Sequence, residues 1–130
     1  MQAIHHPSGY LLKGEPNRDW ISGTMRPETA RQVRQMMIAL VKSGSAAAVP
    51  GLTVGGKTGT AEVSNGLAPH AWFVGFAETE ARTVVIAVVV EHGGGGGTVA
   101  APIFAQVADV ALRHLGEPVS EIVPAPIPVE

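Results

Sequence analysis

The chain has 130 residues, of which 45% are hydrophobic and 15% charged, with a net charge of −2 and no cysteine. It is long enough for one domain, too apolar for a disordered protein and too weakly charged for a nucleic-acid binder. The absence of cysteine excludes a disulfide framework and a thiolate nucleophile. The first twenty residues lack the apolar segment of a signal peptide, and the longest apolar run, residues 84–90, is too short for a membrane anchor.

The first half of the chain predicts a lead-in and one helix. Residues 1–23 mix glycine, proline and charges, which is typical of an irregular segment, with one short strand around residues 10–12. A helix is predicted over residues 27–43, because Pro27 suits the first turn and an apolar stripe at helical spacing follows it. Gly44 ends this helix.

Three strands are predicted next, over residues 52–63, 71–77 and 83–91. Short turn segments separate them, which favours antiparallel hairpins over parallel crossovers. Residues 84–90 are apolar at every position. We therefore expect both faces of the third strand to be covered and the strand to be central in its sheet.

A run of five glycines, residues 93–97, predicts a flexible connection to a second helix over residues 99–115, with Pro102 in its first turn. The tail, residues 117–130, contains four prolines and is predicted to be extended and poorly packed. The predicted fold class is therefore α+β, with a three-stranded antiparallel sheet flanked by two helices.

The motif GKTGTAE at residues 56–62 carries the strongest chemical signal. Strand alternation places Thr58 and Thr60 on one face, and Lys57 and Gly59 on the other. Two hydroxyls and an ammonium can hold a carboxylate, and the backbone N–H of Thr60 can donate to a developing oxyanion. Gly59 lets another element approach closely. The motif therefore predicts a binding wall for acyl-transfer chemistry.

A nucleotide-binding interpretation is also open. Residues 51–58, GLTVGGKT, match the phosphate-loop pattern G-x-x-x-x-G-K-[ST]. That pattern requires a helix starting at the lysine, whose N–H groups surround the phosphates. The residues after Lys57 favour strand structure and are broken by glycine, so the phosphate loop is the weaker hypothesis.

Several segments together resemble the transpeptidase domain of penicillin-binding proteins, in the monofunctional class that crosslinks peptidoglycan. They are GKTGTAE at 56–62, HAWFVGFA at 70–77, the apolar strand ending at Glu91 and APIF at 101–104. The pieces occur in the family's order. Residues 24–116 would accordingly form part of the α/β lobe of this domain, similar to the C-terminal part of the penicillin-binding transpeptidase and β-lactamase-like fold.

The resemblance implies roles for the motif. Lys57, Thr58, Gly59 and Thr60 would bind the carboxylate of D-Ala-D-Ala stem peptides or of β-lactams, and the Thr60 amide would form half of the oxyanion hole. The resemblance also implies work at the extracytoplasmic face of the cell membrane without a cofactor.

The family's nucleophile motifs, Ser-x-x-Lys and Ser-x-Asn, do not occur in this chain. The six serines have neither lysine three residues on nor asparagine two residues on; they are Ser8, Ser22, Ser43, Ser45, Ser64 and Ser120. Without an activated serine the chain is expected to bind but not to catalyse. We therefore expect it to be the C-terminal part of a longer protein, or alternatively a non-catalytic interaction domain on the same scaffold.

The remaining residues support weaker predictions. A single histidine such as His70 is more often a hydrogen-bonded surface residue than a substrate contact, and the five histidines lack the spacing of a metal site. Arg34 is expected on the solvated face of the first helix. In the family, the last strand pairs with strands from the N-terminal part of the domain. The edge of residues 84–90 therefore predicts self-association.

Overall fold

The computed structural model describes residues 3–5, 11–14, 24–64 and 66–119. The chain divides into two compact units, residues 1–30 and 31–130. In the first unit, strand β1 (Ala3–His5) pairs antiparallel with strand β2 (Leu11–Gly14). Strand β2 corresponds to the short strand predicted around residues 10–12. Strand β1 was not predicted, because three residues are too few to show an alternating pattern. The predicted extended tail lies outside the described residues beyond position 119.

Helix α1 (Pro27–Lys42) has Glu28 in its first turn and Lys42 in its last. These charges are opposite to the partial charges of the two helix ends, which stabilises the helix. Gly44 follows with φ of +117°, a left-handed conformation that glycine adopts without steric strain. Helix α1 therefore ends where the sequence predicts.

Strands β3 (Thr53–Ala61), β4 (His70–Glu78) and β5 (Thr83–Val90) form an antiparallel sheet in the order β3-β4-β5. After β5, a π-helical turn (Gly96–Ala100) continues into helix α2 (Ala101–His114). Helical structure thus begins inside the glycine run, before the predicted start at residue 99. Glycine disfavours helix formation, so the sequence pattern did not predict this turn. The predicted fold class is confirmed.

The core of the second unit lies between the sheet and α2. Phe73 of β4 and Phe104 of α2 are fully buried, and their ring centroids lie 4.7 Å apart. A Cβ atom at Gly56 would lie 2.3 Å from the ζ carbon of Phe73, so the ring can lie across β3 only because residue 56 is glycine. The other fully buried core residues are small, apart from Leu112: Ala47, Ala71, Ala77, Ala100, Ala101 and Ala108. These small side chains let α2 pack close to the sheet.

The prediction that residues 84–90 form a central strand covered on both faces is wrong. The central strand is β4, and β5 has one neighbour among the described strands. The even-numbered residues from Val84 to Val90 pack in or against the core, whereas Val85 on the opposite face is 78% exposed. Uninterrupted apolar sequence is typical of strands with two covered faces, but the described residues cover only one face of β5.

Residues 33–40 of α1 lie over the sheet face opposite α2. Arg34 forms an ion pair with Glu78, and its guanidinium carbon lies 5.3 Å from the centroid of the Phe76 ring. Arg34 is exposed, as predicted, but its long side chain also reaches the aromatic ring and the carboxylate of β4, which the sequence did not predict. None of the helices in the described part of the chain has the length and apolar character needed to cross a membrane.

Replacing Phe104 with Ala should test the core. Loss of this fully buried ring is expected to lower the free energy of unfolding by about 3–5 kcal/mol, measured by urea denaturation followed by circular dichroism. Val110 lies on the same helix with 64% of its surface exposed, so Val110→Ala should change stability by less than about 0.5 kcal/mol. Equal effects of the two substitutions would contradict the central role of the ring.

Candidate binding site on strand β3

Strand β3 carries the lysine motif at one edge of the sheet. Thr58 is paired in register with Phe73, whose ring is in the core, so Thr58 and Thr60 share the face that α2 covers. Lys57 and Gly59 lie on the opposite face. The structure therefore has the alternation that the sequence predicts.

The apolar core ends within this motif. Gly56 is buried, Thr58 is half-buried and Thr60 is exposed. Strand β3 changes along its length from a core strand to a surface strand, and the two hydroxyls occur at this change. Polar side chains at such a position can meet a ligand without having been buried on folding.

The Lys57 ammonium lies beside Thr58. Its Nζ donates to the carbonyl oxygen of Thr58 at 2.7 Å and to Thr58 Oγ1 at 3.3 Å. An ammonium has three donors, so one remains for a ligand. No carboxylate among the described residues pairs with Lys57, which leaves its positive charge without a counter-ion within the described part of the chain.

Two contacts indicate which backbone groups of β3 face its open edge. The carbonyl oxygen of Gly55 lies close to β4, 2.6 Å from where a Cβ of Gly75 would be, whereas the carbonyl of Thr58 accepts a hydrogen bond from a side chain. In an antiparallel strand, both backbone groups of one residue point to the same side, and the side alternates along the chain. The N–H groups of Thr58 and Thr60 therefore face the edge that the described residues leave open.

The π-helical turn closes the site from the side of α2. The Gly96 N–H donates to Thr60 Oγ1 at 3.4 Å, and Gly96 is buried against the sheet. The prediction that residues 93–97 form only a flexible connection is therefore wrong at Gly96. Sequence reasoning missed this residue because, in a run of five glycines, nothing distinguishes one from the next.

His70 is part of a bracing network next to the site. Its Nδ1 accepts the His92 N–H at 2.9 Å, and the His92 Nδ1 lies 3.0 Å from the carbonyl oxygen of Ala68. A carbonyl can only accept, so His92 carries a proton on Nδ1. His70 is hydrogen-bonded, as predicted, and half-buried. No group of three or more metal-ligating side chains occurs among the described residues.

The phosphate-loop hypothesis is wrong. Lys57 lies within β3, which continues as a strand to Ala61. A phosphate loop requires a helix that begins at the lysine, because the N–H groups of its first turn bind the phosphates. The sequence therefore matches the phosphate-loop pattern, but the structure at Lys57 is not that of a phosphate loop.

Comparison with known proteins identifies the class. A family model described as the penicillin binding protein transpeptidase domain matches residues 9–109, and the chain belongs to this family. It is 38% identical over 101 residues to the peptidoglycan D,D-transpeptidase PbpA of Mycobacterium tuberculosis, an alignment that covers 71% of this chain and 20% of that protein. It is 33% identical over 104 residues to the probable peptidoglycan D,D-transpeptidase PenA of Neisseria flavescens, covering 71% and 26%.

Solved structures agree with this assignment. Penicillin-binding protein A from M. tuberculosis, as an imipenem acyl-enzyme complex, matches with a TM-score of 0.62 and 31% identity, covering 85% of this chain and 25% of that one. The D,D-transpeptidase domain of a peptidoglycan glycosyltransferase from Eggerthella lenta matches with a TM-score of 0.63 and 34% identity, covering 88% and 27%. The chain thus spans only about a fifth to a quarter of the relatives that it matches.

Proposed function

We propose that this chain is the part of a peptidoglycan D,D-transpeptidase that binds the carboxylate of D-Ala-D-Ala stem peptides or of β-lactams. The observation that carries the proposal is the Lys57 ammonium 3.3 Å from Thr58 Oγ1 at the open edge of β3, in a chain of this family. The relatives are named peptidoglycan D,D-transpeptidases, and one solved relative is an imipenem acyl-enzyme. The proposed location is the extracytoplasmic face of the cell membrane.

The chemistry of the motif suits a carboxylate. Lys57 supplies a positive charge without a counter-ion among the described residues, and Thr58 and Thr60 supply hydroxyl donors on the opposite face of β3. Hydrogen bonds between charged partners are about twice as strong as neutral ones. An extended peptide can also pair with the open edge of β3 through its backbone, as peptides do when they add a strand to a sheet.

In this proposal the Thr60 N–H supplies one of the donors of an oxyanion hole. Oxyanion stabilisation requires donors aimed at the position where negative charge develops, and the N–H of Thr60 faces the open edge of β3. Acyl transfer also requires a nucleophile whose proton is taken by a nearby base. The serines of this chain lack the Ser-x-x-Lys and Ser-x-Asn context, so the proposed role of the chain alone is binding without catalysis.

Titration with N-acyl-D-Ala-D-Ala, monitored by NMR chemical shifts, should perturb the resonances of β3. Substituting Lys57→Met is expected to weaken binding about 10- to 100-fold, because a hydrogen bond to a charged group contributes about 1.5–3 kcal/mol. The matched control is Lys42→Met, at the exposed end of α1, which should bind like the original chain. If the C-terminal carboxamide of the ligand binds as well as the carboxylate, the proposed recognition is wrong.

Incubation with a fluorescent penicillin tests the absence of catalysis. We expect no covalently labelled band after denaturing electrophoresis, because no serine of the chain has the context of an activated nucleophile. A labelled band that disappears on competition with unlabelled penicillin would show that the chain has a nucleophile and would contradict binding without catalysis.

We also propose that β5 mediates association with a second copy of the chain. Its exposed face carries Val85 and Val89, at 78% and 44% exposure, next to Trp72 and Val74 of β4. An antiparallel pair of β5 strands centred between Ile86 and Ala87 would bring Arg82 of one copy opposite Glu91 of the other. Because Arg82 already forms an ion pair with Glu117 of its own copy, the main support for a second copy is the unpaired apolar edge of β5, which is known to promote such pairing.

Sedimentation at tens of micromolar should therefore detect a dimer. Substituting Val85→Lys introduces a charge on β5 and is expected to give a monomer, since charged residues on edge strands oppose strand pairing. The control Val110→Lys changes the same residue type on α2, where 64% of the surface of Val110 is exposed, and this variant should remain dimeric. A monomeric original chain would contradict this surface assignment while leaving the carboxylate-binding proposal intact.

A further inference from the structure

The five glycines of residues 93–97 are not equivalent in the structure. At Gly96 a Cβ atom would lie 2.3 Å from the carbonyl oxygen of Gly59 and 2.4 Å from that of Trp72. Both obstacles are backbone atoms of the sheet, which cannot rotate away. At Gly97 the nearest atom would be the Thr58 methyl carbon at 3.7 Å, an ordinary contact. The backbone of β3 and β4 therefore leaves no room for a side chain at position 96. At position 97 a Cβ atom would fit without a clash.

The close approach of Gly96 places its N–H against the candidate site. This N–H donates to Thr60 Oγ1 at 3.4 Å, a long hydrogen bond. A hydroxyl has one donor and two acceptor lone pairs. When the hydroxyl of Thr60 accepts from Gly96, its own hydrogen is directed away from that N–H and can be donated to a ligand.

The π-helical turn is held at both ends, so the position of the Gly96 N–H is well determined. Within the turn, Val99 N–H donates to Gly95 O at 3.0 Å, and at its C-terminal end the turn continues into α2, whose Phe104 is in the core. On the N-terminal side, Gly94 N–H donates to Pro69 O at 2.9 Å. Hydrogen bonds and chain continuity thus link the π-helical turn both to the β3–β4 connection and to α2.

We propose that Gly96 is a positioning residue for ligand binding: its backbone N–H orients the Thr60 hydroxyl toward the carboxylate, and its lack of a side chain permits the approach. This inference rests on the proposed carboxylate-binding function and extends it to a residue outside β3. Gly96 itself does not touch the ligand. Its effect reaches the ligand through Thr60 Oγ1.

The main test compares Gly96→Ala with Gly97→Ala in titrations with N-acyl-D-Ala-D-Ala. Gly96→Ala should weaken binding about threefold to tenfold, the size expected for one neutral hydrogen bond, whereas Gly97→Ala should bind like the original chain. In Thr60→Val, adding Gly96→Ala should cause no further loss, because both changes remove the same interaction. Full additivity of the two losses, or equal affinity of Gly96→Ala and the original chain, would overturn the proposal.

A second measurement does not depend on the ligand or on the folding of Gly96→Ala. Amide hydrogen exchange of Gly96, followed by NMR, should become faster in Thr60→Val and remain slow in Thr60→Ser, which keeps the accepting oxygen. Unchanged exchange in Thr60→Val would overturn the positioning role. If the original chain does not bind the peptide but the exchange result is as expected, the carboxylate-binding function fails and the arrangement of Gly96 and Thr60 stands.

Discussion

The ring of Phe73 lies across β3 at Gly56 and against Phe104 of α2, so one buried side chain contacts two layers of the second unit. Because Phe73 is paired in register with Thr58, this packing also determines which face of β3 carries the hydroxyls. A slip of one residue would place Lys57 toward the core and Thr58 on the opposite face. The cost of burying an ammonium there opposes such a slip, so the core and the site depend on the same register.

The site lies where this packing stops. Strand β3 is buried at Val54 and Gly56 and emerges at Thr60, and the N–H groups of its even-numbered residues face the open edge. A strand held by a packed core positions side chains more accurately than a loop does. The π-helical turn adds a second constraint, because Gly96 approaches the backbone of β3 and β4 and meets the Thr60 hydroxyl. Strand β3 and the π-helical turn, which continues into α2, therefore both determine the surroundings of the Thr60 hydroxyl.

The sheet face opposite α2 is only partly covered by the described residues. Arg34 connects α1 to Phe76 and Glu78 over the β3 and β4 side, whereas Val85 and Val89 of β5 remain exposed. The relatives are about four to five times longer than the matched region, since the alignments cover 20–27% of them. An exposed apolar strand edge is a surface suited to pairing with a further polypeptide segment.

Local sequence was sufficient for both α-helices, for the three strands of the sheet and for the motif. Helix α1 follows from its proline, its apolar stripe and Gly44, and the faces of Lys57, Thr58 and Thr60 follow from strand alternation, because these depend on residues close in the chain. Tertiary structure alone decided three features: the edge position of β5, the contact of Arg34 with the sheet, and the close approach of Gly96, among five identical glycines, to the sheet backbone. Each of these depends on what packs against a residue from a distant part of the chain, and an isolated sequence pattern does not contain that information.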